Sequence, residues 1–230
     1  MVHIVGAGSG APDLITLRGA ELLRKAQVVI YAGSLVNPSL LGLCGPDCRL
    51  YNSAHLTLEE VLEVIRQATV QNQDVVRLHT GDPCLFGAIR EQTDALDALG
   101  IGWDVTPGVS SFCGAAAALG AEYTLPGVSQ SLIITRLAGR TPVPEREQLA
   151  AMASHGASMA IFLSSGMLPE VARQLLAGGA YTADTPAALV GRAHLPLHHR
   201  HTGPKRRRGR HSQHRAGAGG RVSAAGQRPL

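Results

Sequence analysis

The sequence predicts an α/β protein with a largely parallel sheet, and three observations carry that reading. Short apolar runs alternate along the chain with amphipathic stretches of helical period. Several of those runs end in glycine- or proline-containing turns that open straight into helices. Hydrophobic residues make up 45% of the 230 residues, charged residues 17%, and mean hydropathy is +0.08, which excludes a disordered or collagen-like chain and leaves enough apolar surface for one large domain or two smaller ones.

The elements follow in order. Val2–Val5 reads as a strand and Gly6-Ala7-Gly8-Ser9-Gly10 as a tight loop, after which Thr16 caps a helix over Leu17–Ala26 with Leu22, Leu23 and Ala26 inward. Val28–Tyr31 is the next strand. Thr57-Leu58-Glu59-Glu60 is a capping box, Thr57 bonding forward and Glu60 reaching back, and it opens a helix through Ala68. Asp74–Leu78 reads as a buried strand, Cys84–Leu99 as a helix broken by Gly100, and Trp103–Val105 as a short strand leading to Pro107-Gly108-Val109. The rhythm then restarts: an Ala/Gly-rich helix over Ser110–Leu119, a strand at Leu132–Thr135, a helix at Glu145–Ala153, a strand at Met159–Leu163, a helix at Pro169–Leu176 and a last strand at Ala187–Val190. A domain boundary is expected within Gly108–Pro126, giving an N-terminal domain over 1–112 and a second over 113–191.

Charge divides the chain differently. Residues 1–191 hold 11 Lys and Arg against 17 Asp and Glu, a net −6, whereas residues 192–230 hold ten Lys and Arg and no acid. The overall pI of 9.1 therefore belongs to the tail and says nothing of the body. No stretch approaches the roughly 18 apolar residues of a membrane span, and no basic flank with a long apolar run opens the chain. Cys44, Cys48, Cys84 and Cys113 are irregularly spaced, so a cytosolic protein with free thiols is expected, and Cys44-Gly-Pro-Asp-Cys48 reads as a turn more than a zinc half-site.

Three segments carry chemistry. Gly6-x-Gly8-x-Gly10 after a strand matches the dinucleotide fingerprint only weakly, because the third glycine falls early, Pro12 and Asp13 interrupt the loop, and no acid follows the second strand. Leu78-His79-Thr80-Gly81-Asp82-Pro83 ends a buried strand in a rigid turn, placing Asp82 at the strand edge where open α/β sheets bind ligands. Helix capping by Asp82 explains the same residues as well, and His79 reads as a packed strand-end histidine. Thr106-Pro107-Gly108-Val109-Ser110-Ser111-Phe112 is a further strand-to-helix turn, whose free amides and hydroxyls can hold a carboxylate or carbonyl, or simply cap the helix.

Together with Ser53–Glu60 and Leu125–Ser131, these segments resemble the motifs of the tetrapyrrole (corrin and porphyrin) methyltransferases, in order, over about residues 2–191. The resemblance implies a two-domain α/β fold with the active-site cleft between the domains, S-adenosyl-L-methionine as methyl donor and a small-molecule tetrapyrrole as substrate, in corrin synthesis. It places Gly81, Asp82, Leu85 and Phe86 at the donor, mainly through backbone groups, Ser110 and Ser111 at its methionine end, and Met167 and Ala188 at its adenosine. It turns the first loop, with Gly8, Gly10, Pro12 and Asp13, toward the tetrapyrrole rather than a dinucleotide. It further implies a homodimer. A sulfonium methyl and an enamine-like ring carbon need positioning and dryness more than a base, so no catalytic side chain and no metal are assigned. Past Gly191 the family's pattern gives way to Arg-, His-, Pro- and Gly-rich sequence, leaving the second domain incomplete. Residues 192–230 read either as a basic disordered tail for a polyanion such as nucleic acid, with Lys205–Arg210 as its cluster, or as a slipped reading frame, which the abruptness of the change favours. A catalytically impaired chain or a basic-tailed binding protein on the same scaffold is the alternative function.

Overall fold

The structure, a computed structural model, describes residues 1–139 and 141–191, so the reading of the tail lies outside the described residues. The described chain forms two compact units, Met1–Gly114 and Ala115–Gly191, and its helices include none long and apolar enough to cross a membrane.

In the first unit five strands form one parallel sheet: β1 (Val2–Gly6), β2 (Val28–Tyr31), β3 (Arg49–Asn52), β4 (Val75–His79) and β5 (Trp103–Thr106), in the order β3-β2-β4-β1-β5. The inner strands are mostly apolar because both faces are covered, with His3 in β1 and Arg77 and His79 in β4 as the polar exceptions. One face packs Val5, Val29, Val76 and Leu78 against Leu23 of helix α1 (Leu17–Lys25) and the following Ala26. The other packs Val2, Ile30 and Val75 against Val61, Ile65 and Leu96 of helices α2 (Leu58–Val70) and α3 (Arg90–Ala98). The expected caps form. Thr16 Oγ1 accepts from Gly19 N at 3.1 Å, and in the capping box Glu60 N donates to Thr57 Oγ1 at 3.2 Å while Thr57 N donates to Glu60 Oε2 at 2.7 Å. Thus the chain leaves β1 onto the α1 face and leaves the adjacent β4 onto the α3 face, which opens the space beyond the two strand ends.

Two readings need correction here. The helix expected from Cys84 begins only at Arg90, because Phe86 (φ 56°) and Ala88 (φ 49°) adopt left-handed backbone that no α-helix contains. Strand β3 was not expected at all; its outer half is exposed and its sequence, Arg-Leu-Tyr-Asn, shows no apolar run, as befits a sheet edge.

In the second unit helix α4 (Ser111–Leu119), which begins in the first, leads to a two-stranded parallel sheet of β6 (Leu132–Arg136) and β7 (Ser158–Phe162), covered by α5 (Leu149–Ala153) and α6 (Leu168–Ala177). Its core gathers Leu137, Leu149, Ala153, Met159, Val171, Leu175 and Tyr181. The helix expected over Glu145–Ala153 is split into a 3₁₀ turn at Glu145–Glu147 and α5, because Gln148 turns extended (ψ 145°) between them. The strand expected at Ala187–Val190 does not form among the described residues. Pro186 precedes it and two alanines open it, so the segment has little strand preference.

Candidate functional site

The predicted residues of the first unit converge on the carboxyl edge of its sheet. Ala7 N donates to His79 O at 2.7 Å just past the β1–β4 ladder. Gly8 and Gly81 then exchange two backbone bonds, Gly8 N to Gly81 O at 3.2 Å and Gly81 N to Gly8 O at 3.0 Å. The residue predicted to face the substrate is thus tied directly to one predicted to face the donor. The loop after β5 closes on the same point: a Cβ on Gly6 would stand 2.6 Å from both Gly108 N and Gly81 O. Three adjacent strand ends meet backbone against backbone, at a spacing only glycine permits.

Asp82 ties the knot. Its Oδ1 accepts from Cys84 N at 2.9 Å, the local cap-like turn, and its Oδ2 accepts from Gly108 N at 3.0 Å, across to the loop after β5. Burial pushes its pKa up, but hydrogen bonds from Cys84 and Gly108 outweigh that and hold the carboxyl below the usual aspartate range. Both readings of Asp82 were local; the bond to Gly108, 26 residues on, has no local signal. Leu85 is half-buried in the turn closed by its amide on Asp82 O, and Phe86 beyond it is exposed in its left-handed conformation. Gly81 Cα faces the Ser110–Ser111 backbone, where a Cβ would stand 3.6 Å from Ser111 N; Ser110 is buried and Ser111 opens α4.

Around the knot, Gly10 O accepts from Asn37 Nδ2 at 2.7 Å, which ties the first loop to the loop after β2. Pro12 and Asp13 form an exposed 3₁₀ turn beside it. Three buried polar atoms at this edge, Ser9 Oγ, His79 Nε2 and Thr80 Oγ1, have no hydrogen-bond partner among the described residues. Such groups are rare inside proteins. A ligand with its own donors and acceptors is the kind of group that satisfies them. His79 is held neutral, its pKa lowered to about 3 by burial and by the nearby Arg77 charge. Arg77, itself buried, was not singled out from sequence, although an arginine inside Val-Val-Arg-Leu-His is a visible signal.

Met167 and Ala188 lie in the second unit and are described within it. Met167 is partly buried against the core of Met159, Val171 and Leu175, with its amide on Ser164 O at 2.9 Å. Ala188 is half-buried in an irregular segment. Sequence reasoning missed Ser164 there, whose Oγ donates to Phe162 O at 2.7 Å and accepts from Leu137 N at 3.1 Å, joining the ends of β6 and β7.

Among the described residues no His, Cys, Asp and Glu cluster has a metal-binding arrangement. All four cysteines are free, and Cys44 and Cys48 flank a turn closed by Cys48 N on Gly45 O. The Cys44 thiol is pushed up to about 11, first by burial and then by Cys48, so it is poorly suited to ligate or attack.

A family profile described as Tetrapyrrole (Corrin/Porphyrin) Methylases matches residues 1–202, eleven residues past the point where the resemblance was expected to end. A protein of Methanocaldococcus jannaschii named cobalt-precorrin-4 C(11)-methyltransferase is 51% identical over 189 residues, covering 82% of this chain and 73% of that one. The X-ray structure of a cobalt precorrin-4 methyltransferase superposes with a TM-score of 0.75 at 43% identity, over 77% of this chain and 74% of the other. A uroporphyrin-III C-methyltransferase of Thermus thermophilus, solved in complex with S-adenosyl-homocysteine, gives a TM-score of 0.62 at 29% identity over 77% and 72% of the two chains.

Proposed function

The chain belongs to the tetrapyrrole (corrin/porphyrin) methylase family, and from that membership we propose that it transfers a methyl group from S-adenosyl-L-methionine to C-11 of precorrin-4, or of its cobalt complex, giving precorrin-5 in cobalamin biosynthesis. The observation that carries this reading is the knot at the carboxyl edge, where Asp82 and the Gly6–Gly81–Gly108 contact hold the three recognised loops against one another. The donor supplies an already activated sulfonium methyl. What remains for the protein is to orient it against an electron-rich ring carbon and keep water away, which rigid backbone does well and side-chain acid–base chemistry need not do.

In this reading Gly81, Asp82, Leu85 and Phe86 present the donor-binding backbone, fixed by the hydrogen bonds that the Cys84 and Gly108 amides donate to the Asp82 carboxylate. Ser110 and Ser111 offer hydroxyls and amides at the start of α4, and the family resemblance adds Met167 and Ala188 at the adenosine. Gly8, Gly10, Pro12 and Asp13 form the loop turned to the tetrapyrrole, steadied by Asn37. No side chain is given a proton-transfer role. The resemblance also supports a homodimer working in the cytoplasm.

The test is methyl transfer from isotope-labelled S-adenosyl-L-methionine to precorrin-4, with and without cobalt, by the 230-residue chain. One label per tetrapyrrole, placed at C-11, is the expected result. Binding of S-adenosyl-homocysteine without any transfer to either substrate would instead favour the catalytically impaired reading.

A further inference from the structure

Arg77 sits in the centre of the first sheet with 8% of its surface exposed, yet among the described residues its hydrogen bonds go to neutral acceptors. Its Nε donates to Gln92 Oε1 at 2.9 Å and its Nη1 donates to Ile30 O at 3.1 Å. Burial lowers its pKa to about 10, and no carboxylate raises it. A buried guanidinium without an acid is an expensive way to fill a core, since an apolar residue of the same volume is often as stable or more so.

The far side of Gln92 shows what that arrangement holds. Gln92 Nε2 donates to Ala88 O at 3.2 Å, ahead of the helix cap at Ile89. Ala88 is one of the two left-handed residues of the segment that follows Gly81-Asp82-Pro83; Phe86 is the other. Left-handed backbone is unfavourable for residues with a Cβ and persists only where the surroundings impose it. An unbroken run of bonds therefore leads from the carboxyl end of β2, at Ile30, through Arg77 and Gln92 to the strained segment.

We propose that Arg77 and Gln92 are positioning residues, which hold Ala88 in its left-handed conformation through its carbonyl and so pre-form the donor-binding loop that includes Phe86. The inference rests on the reading of Leu85 and Phe86 as donor-contacting residues. Gln92 is oriented rather than free because Arg77 occupies its oxygen, which leaves only its amide nitrogen to meet Ala88. Arg77 in turn uses the fork of its guanidinium to reach two acceptors at once, which lysine cannot reproduce.

Gln92→Glu separates positioning from simple packing. It keeps the size of the side chain and an oxygen for Arg77, replaces the N–H given to Ala88 by an oxygen that cannot donate, and adds a charge that Arg77 can pair. S-adenosyl-homocysteine binding measured by calorimetry should weaken about tenfold, the scale of one lost buried hydrogen bond, while the thermal melt stays at the wild-type temperature or rises. In turnover the KM for the donor should rise with kcat little changed. Ala88→Gly in the same background should restore most of the affinity, because glycine enters left-handed backbone without help. Arg77→Lys is the second arm, with the same loss and the same rescue expected, and it serves if Gln92→Glu does not fold. Wild-type binding that neither Gln92→Glu nor Arg77→Lys weakens, or a loss that Ala88→Gly does not repair, overturns the inference alone. Absence of binding by the wild-type chain overturns the donor-site reading, and this inference with it.

Discussion

The two sheets of this protein fasten their carboxyl edges by different chemistry. In the first unit Asp82 accepts two amide hydrogens, one from its own turn and one from the loop after β5. In the second, Ser164 joins β6 to β7 with one hydroxyl that accepts from Leu137 N and donates to Phe162 O. An ionised carboxylate can only accept, so it must gather N–H groups from loops that would otherwise diverge, and it does so with the stronger bonds of a charged acceptor. A hydroxyl does both jobs at a smaller scale. The first edge also stands on five strands whose inner members are paired on both sides, the second on two described strands with one pairing between them. A ligand that must be held to a fraction of an ångström is better served by the first kind of edge, and the recognised motifs of the first unit lie there.

The largest expected effect tests the support beneath these edges. Leu78, fully buried in β4, contacts the sheet core on the α1 face, and Met159 occupies the same kind of place in β7. Leu78→Ala should cost about 2–5 kcal/mol, and Met159→Ala an amount within that range. Hydrogen exchange in the strands of each variant's own unit is the measurement. A Leu78→Ala chain whose β1 and β4 amides exchange as slowly as wild type would mean that the first sheet is not the stable platform described here.

The second effect is a pH dependence present in only one of the two edges. His79 has its folded pKa lowered to about 3 from an ordinary 6.5, by burial and then by Arg77. The unfolded chain therefore takes up a proton below about pH 6.5 that the folded chain refuses, and stability is lost as pH falls from there toward the folded value. At pH 5 the loss through this residue is about 2 kcal/mol. Urea melts from pH 7.5 to 5 should show that loss in the wild type, and His79→Gln should flatten it. An equal slope in both chains would place the sensitivity elsewhere.

How much of this was legible in the sequence differs between the units for physical reasons. Strands β1, β2 and β4 are mostly apolar and largely buried, so their sequences announce them, and Thr16 and Thr57 announce helix starts through caps that are local by nature. The edge strand β3 carries no apolar signal because one side of it meets no strand. The false helix start at Cys84 came from composition alone, since Phe86 and Ala88 are ordinary helix residues that here adopt left-handed backbone. The site was legible as loops and not as bonds. Gly8, Gly81, Asp82 and Ser110 fall at one edge as expected, but the pairings Gly8–Gly81, Asp82–Gly108 and Arg77–Gln92 join residues 73, 26 and 15 positions apart, beyond the reach of any local pattern. Ser164 left no signal either, because a serine after a strand is common and its partner Leu137 lies 27 residues back.

Asp82→Asn comes next in size. Asparagine keeps one oxygen acceptor and turns an N–H group toward the other amide, so one of the two bonds is lost and the charge with it. About 1.5 kcal/mol is expected near neutral pH, the low end for charged hydrogen bonds because the side chain is partly solvated. Since the folded carboxyl titrates below its ordinary range, its contribution is present above the ordinary aspartate pKa and disappears as pH falls through the lowered one. The gap between wild type and variant should therefore close in acid. A gap that is the same at pH 7 and pH 3 would mean that the charge is irrelevant to the fastening.

Ser164→Ala is the smallest effect and the sharpest counterpart to Asp82→Asn. The substitution removes the hydroxyl without adding volume, and Ser164 is almost completely buried, so water does not readily replace what is lost. Leu137 N, in a residue only 5% exposed, is left without its acceptor, while Phe162 O loses the Ser164 donor. One neutral hydrogen bond is at stake, about 1 kcal/mol. Because no ionisable group takes part, the loss should be identical at pH 7 and in acid, whereas the Asp82 gap closes as pH falls through its lowered pKa. It should also be local: the Leu137 amide, protected in the wild type by Ser164 Oγ, should exchange several-fold faster in the variant, in line with that energy. A fall in melting temperature with Leu137 still exchanging at the wild-type rate would show that the serine acts through packing, and the parallel between the two edges would then fail at its second term.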